Sequence, residues 1–574
     1  MRLGIYTLLV GCSSLLLTAC GGARQLPTME QYTDSVGKRI AVSSDFYAMP
    51  HGRLHRNDQG IWELYVSGDP LERGLTNGML TKELLDEQEA AFVSQIRELV
   101  PSRFRQWLLR GFLKFFNRRL TDYVPAEYQT EIYGLSRSAS DAYDFIAPPY
   151  QRLLYFHGAH DIGHALQDLA LVGCTSFAAW GTHTADGKLL IGRNFDFYAG
   201  DAFSKEKVIA FIHPDQGYKH AMVTWAGMVG AVSGMNEKGL TATINAGKSD
   251  LPYKARTPIS LVTREILQYA GTIEEAIRIA QQREVFVSES ILVGSAVDKK
   301  AVLIEVSPKK FGVYEVENNA DLLICANHFQ SQAYDTDKNN LRQLEESHSA
   351  YRFKRMNQLI TSAPPLTPTW AASILRNRAG IDGVKLGYGN EKAINQLLAH
   401  HAVIFQPEDR LLWVSANPYQ LGAFVAYDLD SVFSRMDTLS MALPVDEANL
   451  RIPADPFVHT DTFRNYEIFR HQTRTLEAAI EGGERIDDTV LTGFIARNPD
   501  FWKAHFLVGE YYKRHRRYKE ALHYFQMAIS KEVTTAPDRR LIEKRIRRLK
   551  DGKAGRRKDR SQKSEPKYKV RNTQ

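Results

Sequence analysis

Cysteine is scarce in this chain, with four residues in 574. So low a count excludes a scaffold stapled by disulfides, and no spacing of cysteine and histidine is typical of a structural zinc site. The length and a hydrophobic content of 44% indicate a globular protein with more than one core. Each cysteine is therefore a candidate for a role other than forming a structural disulfide.

The first two cysteines lie in an N-terminal segment typical of an export signal. Arg2 gives it a positive start, and the apolar run at 5–17 is too short to span a membrane stably. The run ends in Leu-Thr-Ala-Cys at 17–20, which resembles a bacterial lipobox. The resemblance implies a signal peptide at residues 1–19, attachment of acyl chains such as palmitate at Cys20, and an envelope lipoprotein in the outer membrane facing the periplasm. An ordinary secretory signal with an incidental cysteine is the alternative.

Cys174 is the candidate nucleophile. An apolar stretch follows it, then a turn at 185–187, then a second apolar stretch that ends at Gly192, and this pattern predicts a β-hairpin. The hairpin would return Arg193 and Asp196 to Cys174, where a cation favours the reactive thiolate and a carboxylate can orient an amine. Alternatively, Cys174 is a small buried hydrophobe, and Arg193 and Asp196 form an ion pair that closes the hairpin.

The surrounding sequence resembles the cysteine N-terminal-nucleophile (Ntn) hydrolases, in particular the acyl-CoA:isopenicillin N acyltransferase-like autoproteolytic enzymes and their choloylglycine hydrolase relatives. The resemblance covers roughly residues 174–430. Besides Cys174 it rests on four segments, which are Gly192-Arg193-Asn194-Phe195-Asp196, the stretch from Gly234 to Asn245, Cys325-Ala326-Asn327-His328-Phe329 and Ser349-Ala350-Tyr351-Arg352-Phe353.

This resemblance implies that the thiol of Cys174 attacks the carbonyl of Gly173 and cuts the peptide bond between them. The freed α-amine, with an unperturbed pKa of about 7.7–8.0, then serves as the base. The resemblance also implies an oxyanion-hole role for Asn245 and brings Asn327 and Arg352 into the site. Asn245 as a turn-stabilising residue and Arg352 as a solvated surface arginine are the alternatives.

Hydrophobic periodicity changes at Cys174. Before it the pattern is helical at 84–100, 104–120 and 150–171, and after it short strands alternate with helices near 259–282 and 351–360. This predicts an α+β fold, for which the resemblance specifies a four-layer αββα sandwich. The expected strands are 208–212, 222–225, 240–245, 290–293, 301–306, 322–326, 402–405, 411–415 and 424–427.

The chain is expected to have five segments, which are the signal peptide at 1–19, a helical segment at 20–173, a catalytic domain at 174–443, a helical region at 444–535 and a basic disordered tail at 536–574. The resemblance to the Ntn hydrolases implies that 174–443 is the catalytic domain and that 20–173 becomes the small subunit after cleavage. Residues 502–533 resemble one tetratricopeptide repeat, which is expected either to recruit a protein partner or to cap the catalytic domain. The tail carries +11 and the rest of the chain −4. A solvated end is expected there, with lipopolysaccharide or anionic lipid as alternative contacts and nucleic acid disfavoured.

Two further features have competing interpretations. His157, His160 and His164 precede the cleavage point and could ligate a metal, but a packing role is expected, and the resemblance requires no metal or cofactor. The basic, amphipathic stretch at 104–119 could lie on a membrane or shape an acyl pocket, although packing on the catalytic domain is expected. Cys325 is expected to be a core residue, and a reduced thiol like Cys174.

Together these features predict a lipid-anchored, autoproteolytic Ntn hydrolase that acts through an acyl-Cys174 intermediate. Its substrate is a small-molecule amide with an apolar acyl group, which is either hydrolysed or transferred. The rival is an envelope scaffold with an inactive catalytic domain that acts through its repeat region and basic tail. The intact motif residues favour the enzyme.

Overall fold

The computed structural model describes residues 26–29, 37–100, 102–158, 161, 173–198, 200–250, 254–317, 320–437 and 444–551. The strands in these ranges are β1 (Ile40–Ser43), β2 (Phe46–Met49), β3 (Gly52–Arg56), β4 (Trp62–Gly68), β5 (Thr175–Ala179), β6 (Leu190–Phe195), β7 (Val208–Pro214), β8 (His220–Thr224), β9 (Ser233–Asn236), β10 (Leu240–Ala246), β11 (Glu289–Ser295), β12 (Lys300–Val306), β13 (Phe311–Tyr314), β14 (Leu322–Cys325), β15 (His401–Gln406), β16 (Leu411–Ser415) and β17 (Phe424–Asp428).

The helices of the same ranges lie before, between and after these strands. They are α1 (Pro70–Leu80), α2 (Lys82–Leu99), α3 (Arg103–Phe116), α4 (Ala126–Ser136), α5 (Pro149–His157), α6 (Ile259–Tyr269), α7 (Ile273–Gln282), α8 (Lys338–Glu346), α9 (Ser349–Thr361), α10 (Pro368–Leu375), α11 (Leu429–Asp437), α12 (Asp461–Gly482), α13 (Asp488–Arg497), α14 (Trp502–Arg514), α15 (Tyr518–Ile529) and α16 (Ala536–Lys550).

The strands form two sheets. The larger has the order β1-β2-β3-β4-β7-β8-β9-β10-β11-β12-β13, and the smaller has the order β14-β5-β6-β15-β16-β17. Neighbouring strands are antiparallel except β4 and β7, which are parallel. The pairing of β5 with β6 confirms the hairpin predicted after Cys174, with Ser176 opposite Arg193.

The two sheets share an apolar core. Buried side chains of the larger sheet, such as Ile209 and Phe211, belong to the same cluster as Ile191, Val403 and Phe405 of the smaller one. Helices α1 to α7 contribute to a second cluster with the other face of the larger sheet. Helices α9 and α10 cover the other face of the smaller sheet. The mixed fold of helices and sheets is therefore confirmed, and the strands carrying the motif residues lie at its centre.

The expectation of a wholly helical segment before Cys174 is wrong for residues 40–68, which form β1 to β4. These strands are short, and the central residues of β3 and β4 are buried on both faces, so they lack the alternation by which a half-buried strand is recognised. Because β4 pairs with β7, the chain before Cys174 is an integral part of the larger sheet. The helix expected at 259–282 is two helices, since Thr272 and Glu275 form a capping box at the start of α7.

The C-terminal region is helical, and its core is the buried cluster of α12 to α16. The helix pair expected at 502–533 is α14 and α15, which approach closely because Gly509 faces the ring of Phe525. The expected disorder from residue 536 is wrong for α16, which is capped by Thr535 and buries Ile542. The remainder of the basic tail, from 552, lies outside the described residues.

Helix α3 contains most of the basic, amphipathic stretch. Phe116 at its C-terminal end is buried and contacts the ring of Phe286, whereas Phe104 and Trp107 are 66% and 63% exposed. Packing on the core is therefore limited to the end of the helix. No helix of the described ranges combines the length and the apolar character that crossing a membrane requires.

Helices α1 and α4, which precede Cys174 in the chain, cross closely, and a substitution at the crossing tests how tightly they pack. A Cβ on Gly74 would clash with the backbone carbonyl of Glu131, whereas a Cβ on Gly111, in α3, would meet nothing. We expect Gly74→Ala to destabilise the protein by about 1–3 kcal/mol, as overpacking does. Gly111→Ala should be neutral or stabilising, by up to about 1 kcal/mol, because alanine is the better helix former. Thermal denaturation checks this, and equal midpoints for the two variants would contradict it.

Candidate active site

The peptide bond between Gly173 and Cys174 is held from three directions. The N–H of Gly173 donates to the backbone oxygen of Asp196 at 3.0 Å. The carbonyl oxygen of Gly173 accepts from Nε2 of Gln396 at 2.7 Å, and the carbonyl oxygen of Cys174 accepts from Nη1 of Arg352 at 2.7 Å. The bond expected to be cut is therefore fixed at the N-terminal edge of β5.

The thiol of Cys174 is buried, with Nη2 of Arg193 at 3.7 Å from Sγ. Burial raises the pKa of the thiol to about 11, although Arg193 and the backbone N–H of Asp196 both act to lower it. Arg193 was expected to favour the thiolate. In the uncleaved chain its charge does not overcome desolvation, and the thiol is protonated at neutral pH.

Arg193 is positioned by the larger sheet although it lies in the smaller one. Its Nη1 donates to Oγ of Ser233 at 2.6 Å, its Nη2 donates to the carbonyl of Ile244, and its guanidinium lies over the ring of Phe195 at 4.2 Å. Sequence reasoning missed Ser233, because a serine in a short strand carries no signal of its own.

A histidine pair continues this network. Oγ of Ser233 and Nε2 of His401 are 2.9 Å apart, as are the Nδ1 atoms of His401 and His400. Burial, with the charges of Lys207 and Arg193, holds the pKa of both imidazoles well below the ordinary value, so both rings are neutral. The His-His doublet just before an apolar stretch was the available signal for this pair.

Asp196 is wholly buried, and its carboxylate has no hydrogen-bond partner within the described ranges. Burial raises the pKa of this carboxyl to about 7, against the lowering effects of Arg352 and then Arg193. The alternative of an ion pair closing the hairpin is wrong for the described residues, because Arg193 bonds other atoms and neither carboxylate oxygen of Asp196 has a partner among them. The carboxyl of Asp196 also acts electrostatically on the thiol of Cys174, whose pKa it raises.

Arg352 is buried rather than solvated, which makes the surface alternative wrong. Besides the carbonyl of Cys174 it donates to Oγ1 of Thr175 and, at 2.6 Å, to Oδ1 of Asn327. Asn327 in turn donates from Nδ2 to the carbonyl of Ala246 at 2.9 Å. Asn327 thus orients Arg352, and Arg352 orients the first residues of β5.

Asn245 lies in β10 with its side chain between the two sheets, not at a turn. Its Oδ1 accepts from Oγ of Ser176 at 3.2 Å, and its Nδ2 donates to the carbonyls of Cys325 and Ala326 at 3.2 and 3.4 Å. These long bonds would have to weaken for the amide to meet an oxyanion.

The remaining sequence candidates are two histidine and cysteine positions with other contacts, His157 and Cys325, and three positions outside the described ranges. His157 bonds the carbonyl of Leu153 and the N–H of Val229, and burial lowers its pKa to about 4, which fits a packing role. Cys325 is buried and free, as is Cys174. Cys20, His160 and His164 are not among the described residues, in which no group of three or more acidic, histidine or cysteine side chains is arranged to hold a metal.

Residues 182–418 match the family model of acyl-coenzyme A:6-aminopenicillanic acid acyl-transferase. The match confirms the acyltransferase part of the resemblance for this region, which includes Arg193, Asp196, Asn245, Asn327 and Arg352 and begins just after Cys174.

Curated relatives match the chain over a limited length. An uncharacterized protein of Archaeoglobus fulgidus is 24% identical over 316 residues, which cover 49% of this chain and 52% of that protein. Protein dcd1B of Dictyostelium discoideum is 25% identical over 291 residues, which cover 46% and 55%. The chain thus spans about half the length of the curated relatives it matches.

Two solved structures are also similar. A Caenorhabditis elegans N-acylethanolamine-hydrolyzing acid amidase ortholog is 16% identical with a TM-score of 0.30, and 41% of this chain and 93% of that one are covered. A mutant conjugated bile acid hydrolase of Clostridium perfringens is 14% identical with a TM-score of 0.29, covering 45% and 92%. At these TM-scores the likeness carries nothing about substrate or mechanism.

The raised pKa of Asp196 predicts a pH dependence in an uncleaved chain. With a folded pKa of about 7 above the ordinary value of about 3.9, the folded state holds this proton where the unfolded state has lost it. The stability that Asp196 contributes is therefore complete below about pH 4 and lost as the pH rises through about 7. Relative to Cys174→Ala, we expect Cys174→Ala/Asp196→Asn to gain stability steadily over that window.

Urea denaturation of both variants at several pH values measures this difference. Asp335 is exposed, so Cys174→Ala/Asp335→Asn serves as the control and should follow Cys174→Ala throughout. If the free energies of unfolding of Cys174→Ala and Cys174→Ala/Asp196→Asn differ by the same amount from about pH 4 to about pH 7, the raised pKa of Asp196 is disproved.

Proposed function

We propose that this chain is an autoproteolytic cysteine Ntn hydrolase or acyltransferase that acts on amides with an apolar acyl group. Its two facing sheets with outer helices support the four-layer αββα sandwich implied by the resemblance. The observation that carries the proposal is the hydrogen-bonded Gly173–Cys174 segment, next to a thiol contacted by Arg193. The buried carboxyl of Asp196 also has no hydrogen-bond partner in the part of the chain that the structure describes. A purely structural cysteine has no need of these neighbours.

Self-cleavage comes first in the proposed sequence. Sγ of Cys174 attacks the carbonyl carbon of Gly173, the C–N bond breaks, and the nitrogen takes the thiol proton and becomes the free α-amine. Gly173 is left as a thioester on Sγ. Water hydrolyses the thioester to a carboxylate and returns the thiol.

Turnover uses the same atoms with the α-amine added. The amine takes the thiol proton, Sγ attacks the substrate carbonyl, and the leaving amine receives the proton as the acyl-Cys174 intermediate forms. Water then releases the acyl group in a hydrolase, and an acceptor amine releases it in an acyltransferase. Asn245 is proposed to meet the oxyanion, while Arg352 and Asn327 hold the start of β5.

A small crevice marks the side from which we propose that an apolar acyl group approaches the thiol. It is lined chiefly by apolar side chains of α2, α5 and the segment after β8, among them Phe92, Phe156, Trp225 and Met228. The rings of Trp225 and Phe195 stack at 6.5 Å between centroids, and Phe195 lies under Arg193. Aromatic side chains thus connect the crevice with the thiol.

Export and anchoring are proposed from the lipobox-like residues 17–20. The protein would be held by acyl chains on Cys20 at the periplasmic face of the outer membrane. The helix pair of α14 and α15 is proposed to be a degenerate tetratricopeptide repeat that binds a protein partner or caps the catalytic region. An inactive scaffold is the alternative that the next experiment excludes or supports.

Removal of the nucleophile tests the enzyme. Wild-type protein should yield a fragment that starts at Cys174 and has a mass of about 45 kDa, taking about 0.11 kDa per residue. Cys174→Ala should stay uncut and inactive on N-acyl amides, and Cys174→Ser should cut slowly. Cys325→Ala is the matched control and should keep both activities, because Asn245 contacts the backbone carbonyl of Cys325, which this substitution retains. Amidase activity in purified Cys174→Ala would rule out the proposal.

Lipid attachment has its own test. Cys20→Ala should release soluble protein or leave an unprocessed precursor, because it removes the acylated thiol of the lipobox-like sequence. Fractionation of membranes and partitioning into detergent measure this, with Cys12→Ala as the control that should stay anchored. Membrane association of Cys20→Ala equal to that of wild type would contradict the anchor.

A further inference from the structure

Gln396 donates a hydrogen bond to the carbonyl that self-cleavage would attack. Its Nε2 lies 2.7 Å from the carbonyl oxygen of Gly173, and the side chain is 1% exposed. The acceptor is a carbonyl oxygen, so the N–H₂ end of the amide makes this bond. A buried amide dipole is therefore aimed at the atom on which negative charge would develop.

The lack of a side chain at residue 173 is explained by the same contact. A Cβ on Gly173 would lie 2.6 Å from Nε2 and 2.8 Å from Oε1 of Gln396. Both distances are shorter than a Cβ contact allows. Glycine at this position thus lets the amide reach the carbonyl of its own residue.

The backbone that carries Gln396 is tied to the motif segment. Asn194 donates from Nδ2 to the carbonyls of Leu375 and Ile394 at 2.9 and 3.0 Å. On the other side, the N–H of Leu397 donates to Oδ1 of Asn395 at 2.9 Å. Asn194, between Arg193 and the residues leading to Asp196, therefore positions the loop that holds Gln396.

The other polar groups of the site are committed to different atoms. Arg352 bonds the carbonyl of Cys174, which follows the scissile bond, and Arg193 contacts Sγ. The amide of Asn245 bonds the carbonyls of Cys325 and Ala326. Within the described part of the chain, Gln396 is the donor to the oxygen of Gly173.

We propose that Gln396 is the oxyanion donor of self-cleavage, separate from the oxyanion hole of turnover. The inference rests on the proposed function. When Sγ bonds to the carbonyl carbon of Gly173, the C=O electron pair moves to the oxygen, and the N–H of Gln396 stabilises that charge. When the C–N bond breaks, the pair returns to re-form the C=O of the thioester, and the leaving nitrogen takes the thiol proton.

The test follows self-cleavage in time during cell-free synthesis, by loss of the full-length band on a gel. Gln396→Met keeps the length of the side chain and removes the donor, so cleavage should slow by about 10²–10³-fold, the usual loss for one oxyanion donor. Gln420→Met is the matched control, because Gln420 is equally buried and its side-chain amide has no partner among the described residues. It should cleave at the wild-type rate.

Gly173→Ala supplies a second variant that leaves Gln396 itself intact. Its Cβ should displace the amide and slow cleavage, and Gly173→Ala/Gln396→Met should be little slower than the slower single variant, because both changes remove one interaction. Near-UV circular dichroism of Cys174→Ala/Gln396→Met, compared with Cys174→Ala, reports whether the fold is kept. If the double variant slows cleavage by the product of the two single-variant factors, the two changes act independently and the proposal is overturned.

Cleavage of the wild-type protein in the same assay distinguishes failure of the role of Gln396 from failure of the proposed function. If wild type is cut between Gly173 and Cys174 and Gln396→Met is cut at the same rate, the role proposed for Gln396 is wrong and the proposed function stands. If wild type stays full-length in the same assay, self-cleavage fails and the role of Gln396 fails with it.

Discussion

Burial of charge at the Gly173–Cys174 bond is the constraint on which the site depends. Arg193, Asp196 and Arg352 are wholly buried, and desolvation is the largest influence on the pKa of each. It raises the pKa of Cys174 to about 11 and lowers that of Arg352 to about 10. The charges offset one another only in part, so thiol and carboxyl both hold protons more tightly than they would in water.

The two sheets create this environment jointly. Strands β5 and β6 place Ser176 opposite Arg193, while β9 and β10 of the other sheet supply Ser233 and the carbonyl of Ile244, which bind the guanidinium. Because side chains alternate across a strand, a shift of one residue in the β5–β6 register would turn Arg193 away from the larger sheet. The position of one cation thus depends on the packing of both sheets.

Local pattern was enough to predict the parts of the site that lie close in sequence. The turn at 185–187 and the apolar stretches on either side predicted the return of Arg193 and Asp196 to Cys174. Gln396 and His400 lie just before β15, and His401 is its first residue, some two hundred residues after Cys174. Local pattern could not place them in the site, because only tertiary contacts bring them there. Strands β3 and β4 were missed because strands buried on both faces do not alternate. Strands β1 and β2 have four residues each and show no alternation of burial either.

The same burial has opposite consequences before and after the bond is cut. In the intact chain it keeps the thiol protonated, and the carboxyl of Asp196 has no hydrogen-bond partner among the described residues. A free ammonium on Cys174 would place a positive charge beside both groups in a medium of low dielectric constant, where such a charge acts strongly. It would lower the pKa of the thiol and of the carboxyl together, the reverse of what desolvation does. In the proposed enzyme, cleavage of one peptide bond would therefore make Cys174 the first residue of its chain and add a positive charge next to its thiol.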